Sequence, residues 1–310
     1  LKIAINTRHR KKWGGGSHFV TALEEGLIKS GHSVCHGLSR KLNAILVVSN
    51  SSNMCFGRKQ IEKYLSKYPK TAVFQRINNL DTHAKKGNIK RYKKFNKITT
   101  GTIYVSEWAK RYARDKKGLD LRNEFVVVND VSDSFKHMRD RWDKSMPLKI
   151  LTHHWSTNVA KGFDVYKKID NELKSNSKLR SDTEFMYIGR FPEKYKLKHF
   201  VVKKSLYKEK LAEKIRSRHV YITASLLECG AYHVMEALRC GLPVMYGPNG
   251  GSVGEYVGDC GFCFDPNKPM KRHVDRMMNE YDMYYDRIVK RFENKESMSD
   301  QYLRIMKSFL

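Results

Sequence analysis

Two glutamates eight residues apart, Glu228 and Glu236, stand in the chain's densest run of polar and small residues, Ser225-Leu-Leu-Glu228-Cys-Gly230-Ala-Tyr232-His233-Val-Met-Glu236-Ala-Leu-Arg-Cys-Gly241-Leu-Pro243. A buried strand over 220–223 is predicted before it, a helix opening near Gly230 and Ala231 within it, and a stop at Gly241. Glu228 then lies at a helix start and Glu236 about two turns in, with the backbone N–H groups of residues 230 to 233 exposed between the two carboxylates. Carboxylates accept hydrogen bonds from sugar or ribose hydroxyls, and a helix start accepts a phosphate, which together suit a sugar nucleotide. Two glutamates at this spacing are also what a solvated surface carries, so spacing alone leaves both readings open.

Other groups bear chemistry less specifically. Trp13-Gly14-Gly15-Gly16-Ser17-His18-Phe19 opens a predicted helix that runs to about Lys29 and stops at Gly31. Glycines permit close backbone approach, and the N–H groups of a helix start favour an anion. The pattern is not G-x-G-x-x-G, and no Gly-Lys-Ser/Thr follows it; an anion site and a plain glycine-rich turn both stay open. His153, His154 and Trp155 end a predicted strand, where they serve packing or line a ligand site. Cys260-Gly-Phe-Cys263, a single C-x-x-C without a histidine cluster, reads as structural, and no metal is expected. No two aspartates stand as D-x-D to grip a metal-bound diphosphate, which favours metal-independent chemistry. The run from Lys85-Lys86 to Lys90-Arg91-Tyr92-Lys93-Lys94 is a solvated helix face or a docking surface for an anionic acceptor or membrane.

The chain that positions these groups has 310 residues, 40% hydrophobic and 11% aromatic, with 20 glycines and 7 prolines. That length favours two domains, and the composition excludes disorder or a collagen-like repeat as the main architecture. No window holds 18 uninterrupted apolar residues, and the opening Leu-Lys-Ile-Ala-Ile-Asn reads as a strand rather than a signal peptide, so a soluble, cytoplasmic protein is expected. Six irregularly spaced cysteines suit reduced thiols. The net charge is +28, and residues 1–145, with 31 basic and 12 acidic side chains, hold +19 of it. Such a field attracts nucleic acid, phospholipid headgroups, nucleotide diphosphates and acidic glycans alike.

Runs rich in Val, Ile and Phe predict strands at 2–6, 44–48, 72–75, 101–105 and 125–128, then at 148–151, 184–188, 199–202, 219–223 and 243–246. Amphipathic stretches such as 163–174 and 205–217 separate them. This alternation implies an α/β protein with parallel sheets covered on both faces. The expected organisation is a Rossmann-like domain over 1–145, a second over 146–267, a linker over 140–147, and a helical tail over 268–310. In the tail Met277, Met278, Tyr281, Tyr284, Tyr285 and Ile288 form the buried stripe, and the last helix is free to pack back on the first domain. Ligands bind beyond the carboxyl ends of open α/β sheets, so two facing sheets would share one ligand cleft.

Glu228-x7-Glu236 followed by Ala237-Leu-Arg-Cys-Gly241-Leu-Pro243-Val resembles the E-x7-E signature of family 4 retaining glycosyltransferases, whose fold is GT-B. Further segments agree in order: Gly14-Gly15-Gly16 and Ser30-Gly-His-Ser-Val34 in the amino-terminal glycine loop and following turn, Val105-Ser-Glu-Trp, Val128-Asn129-Asp-Val-Ser-Asp-Ser-Phe135, Lys161-Gly162, and Asn249-Gly250-Gly251 with Glu255. The resemblance spans roughly residues 1–266. His153-His154-Trp155-Ser156 and the short chain are similar to bacterial and large-DNA-virus members, chloroviruses among them.

The resemblance implies that Glu236 holds the ribose hydroxyls of the donor, that Glu228 contacts the transferred sugar, and that the amides of Gly230, Ala231, Tyr232 and His233 bind its hydroxyls. Lys161 would neutralise the diphosphate as the glycosidic bond breaks, with Gly15 and Gly16 approaching the same phosphate from the other domain. Two departures stand out. Trp155, Ser156 and Asn158 occupy the stretch where the family has an arginine before Lys-Gly, leaving Arg190 as the substitute in charge. Gln75-Arg76-Ile77-Asn78 lies near the place of the family's sugar-facing histidine. The implied reaction moves a sugar from a GDP- or UDP-sugar, GDP-mannose by family habit, to a hydroxyl acceptor, without cofactor; a homodimer and peripheral contact with an anionic membrane or acidic glycan are compatible with it. A nucleotide-sugar epimerase or hydrolase of the same fold is one rival reading. A basic nucleic-acid-binding protein is the other, and no specific nucleic-acid-reading motif accompanies its charge.

Overall fold

Continuous apolar runs become buried parallel strands in both halves of the chain. The computed structural model describes residues 1–7, 15–48, 54–82 and 87–310; Gly14, Lys85 and Lys86 lie outside them. The first half holds β1 (Lys2–Ile5), α1 (Gly15–Lys29), β2 (Ser33–Cys35), β3 (Ala44–Val47), α2 (Arg58–Leu65), β4 (Ala72–Ile77), α3 (Asn88–Asn96), β5 (Gly101–Tyr104), α4 (Glu107–Lys117) and β6 (Glu124–Val126). Its strands form one parallel sheet ordered β2-β1-β3-β4-β5-β6. Ala4, Ile45, Val47 and Val73 of that sheet pack with Phe56, Ile61 and Phe95, and the inner strands β3, β4 and β5 are buried along their whole length rather than alternating. On α3, Tyr92 and Phe95 turn inward and Lys90, Arg91, Lys93 and Lys94 are exposed.

The second half holds β7 (Leu148–His154), α5 (Phe163–Ser175), α6 (Ser177–Asp182), β8 (Thr183–Gly189), β9 (Val201–Lys203), α7 (Glu209–Arg216), β10 (Val220–Thr223), α8 (Tyr232–Arg239), β11 (Val244–Tyr246), α9 (Val253–Val257), β12 (Gly261–Cys263) and α10 (Met270–Glu293). The sheet order is β12-β11-β10-β7-β8-β9, again all parallel. From β7 the chain builds outward through β8 and β9, then returns to β10 on the other side, which puts the topological switch point between β7 and β10. Leu148, Ile150, Tyr187, Val220 and Ile222 share a core with Phe163, Tyr166 and the α10 residues Val274, Met277, Tyr281 and Tyr284. Burying side chains of this size stabilises by about 1.5–3 kcal/mol each.

The chain divides into two compact units, residues 1–132 with 296–310, and 133–295. The division falls at 132/133 rather than 145/146 because the polar stretch read as a linker is docked. The Arg139 N–H donates to the Cys240 carbonyl at 3.1 Å, its guanidinium to the Tyr281 hydroxyl at 2.8 Å, and Trp142 packs edge-on to Tyr281 with ring centroids 5.5 Å apart. The tail is likewise shared. Helix α10 belongs to the second unit, whereas α11 (Met298–Lys307) belongs to the first, where Tyr302 packs against Phe19 of α1 at 5.6 Å and Ser299 lies over Gly26. Of the stripe expected on α10, Met277, Tyr281, Tyr284 and Ile288 are buried, and Met278 and Tyr285 are partly buried. Among the described residues no helix is long and apolar enough to cross a membrane.

Candidate functional site

The carboxyl ends of β7 and β10 converge with the start of α8, and buried polar side chains gather there. On β7 the residues are Thr152, His153 and His154; on β10 and beyond, Tyr221, Thr223 and Ser225; on α8, His233 and Glu236. The His153 Nε2 lies 2.8 Å from Glu236 Oε2, and the His233 Nε2 lies 3.1 Å from Thr223 Oγ1. The Tyr166 hydroxyl, reaching in from α5, lies 2.9 Å from His154 Nε2 and accepts the Ala224 N–H at 3.1 Å. Burial pushes His233 down to about 3, with Glu228 and Glu236 opposing that shift and Lys161 and His153 reinforcing it. One neutral imidazole thus senses Lys161, Glu228, Glu236 and His153 together. His154 is also held well below the ordinary histidine range, chiefly by burial.

Lys161 donates through Nζ to Glu228 Oε1, and the two side chains are only 15% and 12% exposed. Backbone geometry brings them together. The Leu226 N–H donates to the Ala160 carbonyl at 2.7 Å, tying the Glu228 loop to the Lys161 turn. Gly162 follows Lys161 with φ +78°, and a Cβ there would clash with the Ala224 carbonyl oxygen. Beyond the loop, Glu228 bridges to Gly251: its N–H donates to the Gly250 carbonyl at 3.1 Å, and its carbonyl accepts the Ser252 N–H at 2.8 Å. Gly251 takes φ +70°, and a Cβ on it would lie 2.5 Å from the Glu228 carbonyl oxygen. The Lys-Gly and Gly-Gly turns therefore clamp the loop from two sides.

Helix α8 starts at Tyr232 rather than near Gly230, so Glu228 sits in the bridge before it and Glu236 lies just over one turn in, not two. The sharp turn at Gly230 delays the helix: the Tyr232 N–H folds back on the Gly230 carbonyl at 2.9 Å. That uses one of the four amides expected to face a ligand. Those of Gly230, Ala231 and His233 donate to no acceptor among the described residues. Unanswered helix-start donors between a lysine and two carboxylates can receive anionic or hydroxyl oxygens.

Arg190 is not part of the Lys161 and Glu228 pair. Its N–H donates to the His154 carbonyl at 3.0 Å and its carbonyl accepts from the Tyr187 hydroxyl at 2.7 Å, which anchors its backbone beside the end of β7. Its side chain is exposed and lines, with Thr157, Phe191, Glu193, Lys203 and Lys204, a pocket of about 610 Å³ at the carboxyl ends of β8 and β9. Gly15 and Gly16 open α1 in the first unit, and nothing among the described residues lies where a side chain on Gly16 would be. Arg76 is buried at 2% exposure, donates to the Asn129 Oδ1 at 2.7 Å and lies 3.7 Å over the Phe19 ring. Cys260 is buried and Cys263 exposed; burial raises both thiols, so neither is held as a thiolate. Among the described residues no three histidine, cysteine or acidic side chains gather to hold a metal. Sequence reasoning missed Tyr166, Tyr221, Thr152 and Thr223, whose hydroxyls organise the histidines; Thr152 and Thr223 are marked only by their place near strand ends, and Tyr166 on α5 and Tyr221 inside β10 carry no signal of their own.

Residues 161–294 match the family model for Glycosyl transferases group 1. No curated protein matches the chain in sequence. Among solved structures, a glycosyltransferase from Rickettsia africae is similar with TM-score 0.68 and 14% identity, covering 99% of this chain and 98% of its own. The apo lipopolysaccharide outer core galactosyltransferase WaaB is similar with TM-score 0.67 and 13% identity over 100% of both chains. The sucrose-phosphate synthase of Thermosynechococcus elongatus reaches 0.66 at 12% identity, over 99% and 98%. Lys161, Glu228 and Glu236 all fall inside the segment that matches the group 1 model, and the chain as a whole has the GT-B fold.

Proposed function

We propose that this protein is a retaining, metal-independent glycosyltransferase that moves a sugar from a nucleotide diphosphate sugar, GDP-mannose before a UDP-sugar, onto a hydroxyl acceptor. The observation that carries the reading is the Lys161 ammonium seated on Glu228, two residues before the open amides of Gly230, Ala231 and His233, inside the segment that matches group 1 glycosyltransferases. In this reading Lys161 and those amides meet the diphosphate and sugar oxygens, Glu228 meets the sugar, and Glu236 meets the ribose. The pocket beside Arg190 has the size of small-molecule sites and suits the rest of the nucleotide.

The chemistry asked of these groups is electrostatic. As the bond between the anomeric carbon and the phosphate oxygen breaks, negative charge grows on the diphosphate, and a fixed ammonium nearby stabilises that state more than the bound donor. The acceptor oxygen then bonds to the same face of the anomeric carbon, and its proton passes to the departing phosphate oxygen. No carboxylate is required as a covalent nucleophile.

Calorimetric titration with a panel of nucleotide sugars, followed by analysis of the anomeric configuration of the product, tests the reading. Tight binding of one donor, weakened in Glu236→Ala by about 1.5–3 kcal/mol, is the expected result. Absence of any nucleotide binding, or an inverted product, would overturn it.

A further inference from the structure

Glu236 is met by an imidazole. The His153 Nε2 and the Glu236 Oε2 are 2.8 Å apart, with side chains 10% and 3% exposed. A carboxylate only accepts, so Nε2 carries the proton and donates. The ring is itself fixed from behind. The His153 N–H donates to the Tyr221 hydroxyl at 3.2 Å, that hydroxyl lies 3.3 Å from the His153 carbonyl oxygen, and the two rings meet edge-on at 5.4 Å. Tyr221 is fully buried on β10. Across the switch point, β10 therefore fixes the end of β7, and the end of β7 fixes a carboxylate on α8.

The other ring nitrogen decides between packing and purpose. His153 Nδ1 is buried and meets no hydrogen-bond partner among the described residues. A ring present only to fill space would carry an unanswered nitrogen where an apolar side chain would carry none. Among the described residues, the one polar contact the ring makes is the one on Glu236.

We propose that His153 is a positioning residue for the nucleotide, keeping the Glu236 carboxylate in a single orientation so that binding a ribose diol need not order it. The inference rests on the assignment of Glu236 to ribose. Prior fixation of a binding group removes an ordering cost from the binding step, so the effect belongs to affinity rather than turnover. Gln places an amide N–H near the imidazole Nε2 position; Leu fills comparable space without it.

The experiment is calorimetric titration of GDP and, separately, UDP into the wild-type chain, His153→Leu, His153→Gln, Glu236→Ala and the Leu/Ala double variant, with melting temperatures for each. His153→Leu should weaken the preferred nucleotide about tenfold, and His153→Gln should recover to within about threefold of wild type. In the Glu236→Ala background, His153→Leu should change affinity by less than about twofold, because no carboxylate is left to orient. Wild-type affinity in His153→Leu, equal losses in the Leu and Gln variants, or losses that multiply in the double variant would each overturn the proposal while leaving the nucleotide reading intact. A wild-type chain that binds neither nucleotide overturns the parent reading, and this inference with it.

Discussion

The two sheets share a parallel six-stranded plan, yet their switch points are finished in opposite ways. In the first sheet the crevice between β1 and β3 is stitched by Asn6, which is fully buried. Its Oδ1 accepts the Val48 N–H at 2.8 Å, its N–H donates to the Leu46 carbonyl at 3.1 Å, and its carbonyl accepts the Cys55 N–H at 2.8 Å. In the second sheet the crevice between β7 and β10 is lined by three histidines, two tyrosines and a glutamate, with His153 Nδ1 and Ser225 Oγ buried and unanswered among the described residues. Topology offers a ligand crevice in both sheets. The side chains differ in what they do there: at one crevice Asn6 pairs with backbone groups of the neighbouring segments, and at the other two buried polar atoms meet no partner among the described residues, where a ligand or water can satisfy them.

The largest expected effect is at Lys161. If the second crevice is the reacting one, Lys161→Ala should lower kcat by about a hundredfold or more while donor affinity falls less, because the charge it opposes grows in the transition state. Steady-state kinetics on a variant of unchanged melting temperature checks this; near-normal kcat, or a change confined to KM, would erase the distinction between the crevices. If Arg190 shares the load, Arg190→Ala should lower kcat too, and the two losses should be less than additive.

The converse variant is Asn6→Ala. It leaves a buried N–H at Val48 without its acceptor, so stability should fall by about 1–3 kcal/mol in urea unfolding. Nucleotide affinity should stay at the wild-type value in calorimetry. A loss of affinity without a loss of stability would mean that the first crevice also holds ligand.

How much of this difference was legible in the chain depends on the kind of residue. Strands such as Ile3 to Ile5 and Val220 to Thr223 announce themselves as continuous apolar runs. The edge strands β2, Ser33-Val-Cys35, and β12, Gly261-Phe-Cys263, do not, because three residues with one large apolar side chain carry no period. Glu228, Glu236 and Lys161 stand out through spacing and neighbouring glycines. Their partners do not: Tyr166 on the inward face of an amphipathic helix, or Tyr221 in an apolar run, looks like any core aromatic, and only the fold shows its hydroxyl facing a histidine. Residues 140–147 read as a linker because they are polar, although Trp142 and the neighbouring Arg139 dock on Tyr281.

Acid should separate the crevices as well. His233 is wholly buried with its proton affinity lowered to about 3, against 6.5 when exposed. The unfolded chain therefore binds a proton at this site below 6.5 that the folded chain refuses until about 3. Its contribution to stability is fully present above 6.5 and is lost as pH falls from there toward 3, at up to about 1.4 kcal/mol per pH unit. Urea midpoints at pH 7 and pH 5 should fall less in His233→Gln than in wild type, the difference corresponding to about 2 kcal/mol. Equal falls would show that the imidazole titrates freely when folded.

The smallest effect is the one that most directly probes what an unanswered group is worth. In the ligand-free protein the Lys161 ammonium is not waiting for a phosphate; it is already paired with Glu228 in a largely buried site. A diphosphate arriving there must share or displace that carboxylate and lie near its negative charge. Removing the charge with Glu228→Gln leaves Lys161 without a full counterion in the free protein, which raises the energy of that state. It also removes a repulsion in the bound one. Both changes favour binding of a nucleotide diphosphate that carries no sugar, so GDP or UDP should bind about threefold to tenfold more tightly to Glu228→Gln than to wild type. Turnover with the complete donor should fall at the same time, because the carboxylate proposed to meet the sugar is gone. Calorimetry with the bare nucleotide beside kinetics with the nucleotide sugar separates the two. Weaker binding of the bare nucleotide would show that Glu228 supports the phosphate site rather than competing for Lys161.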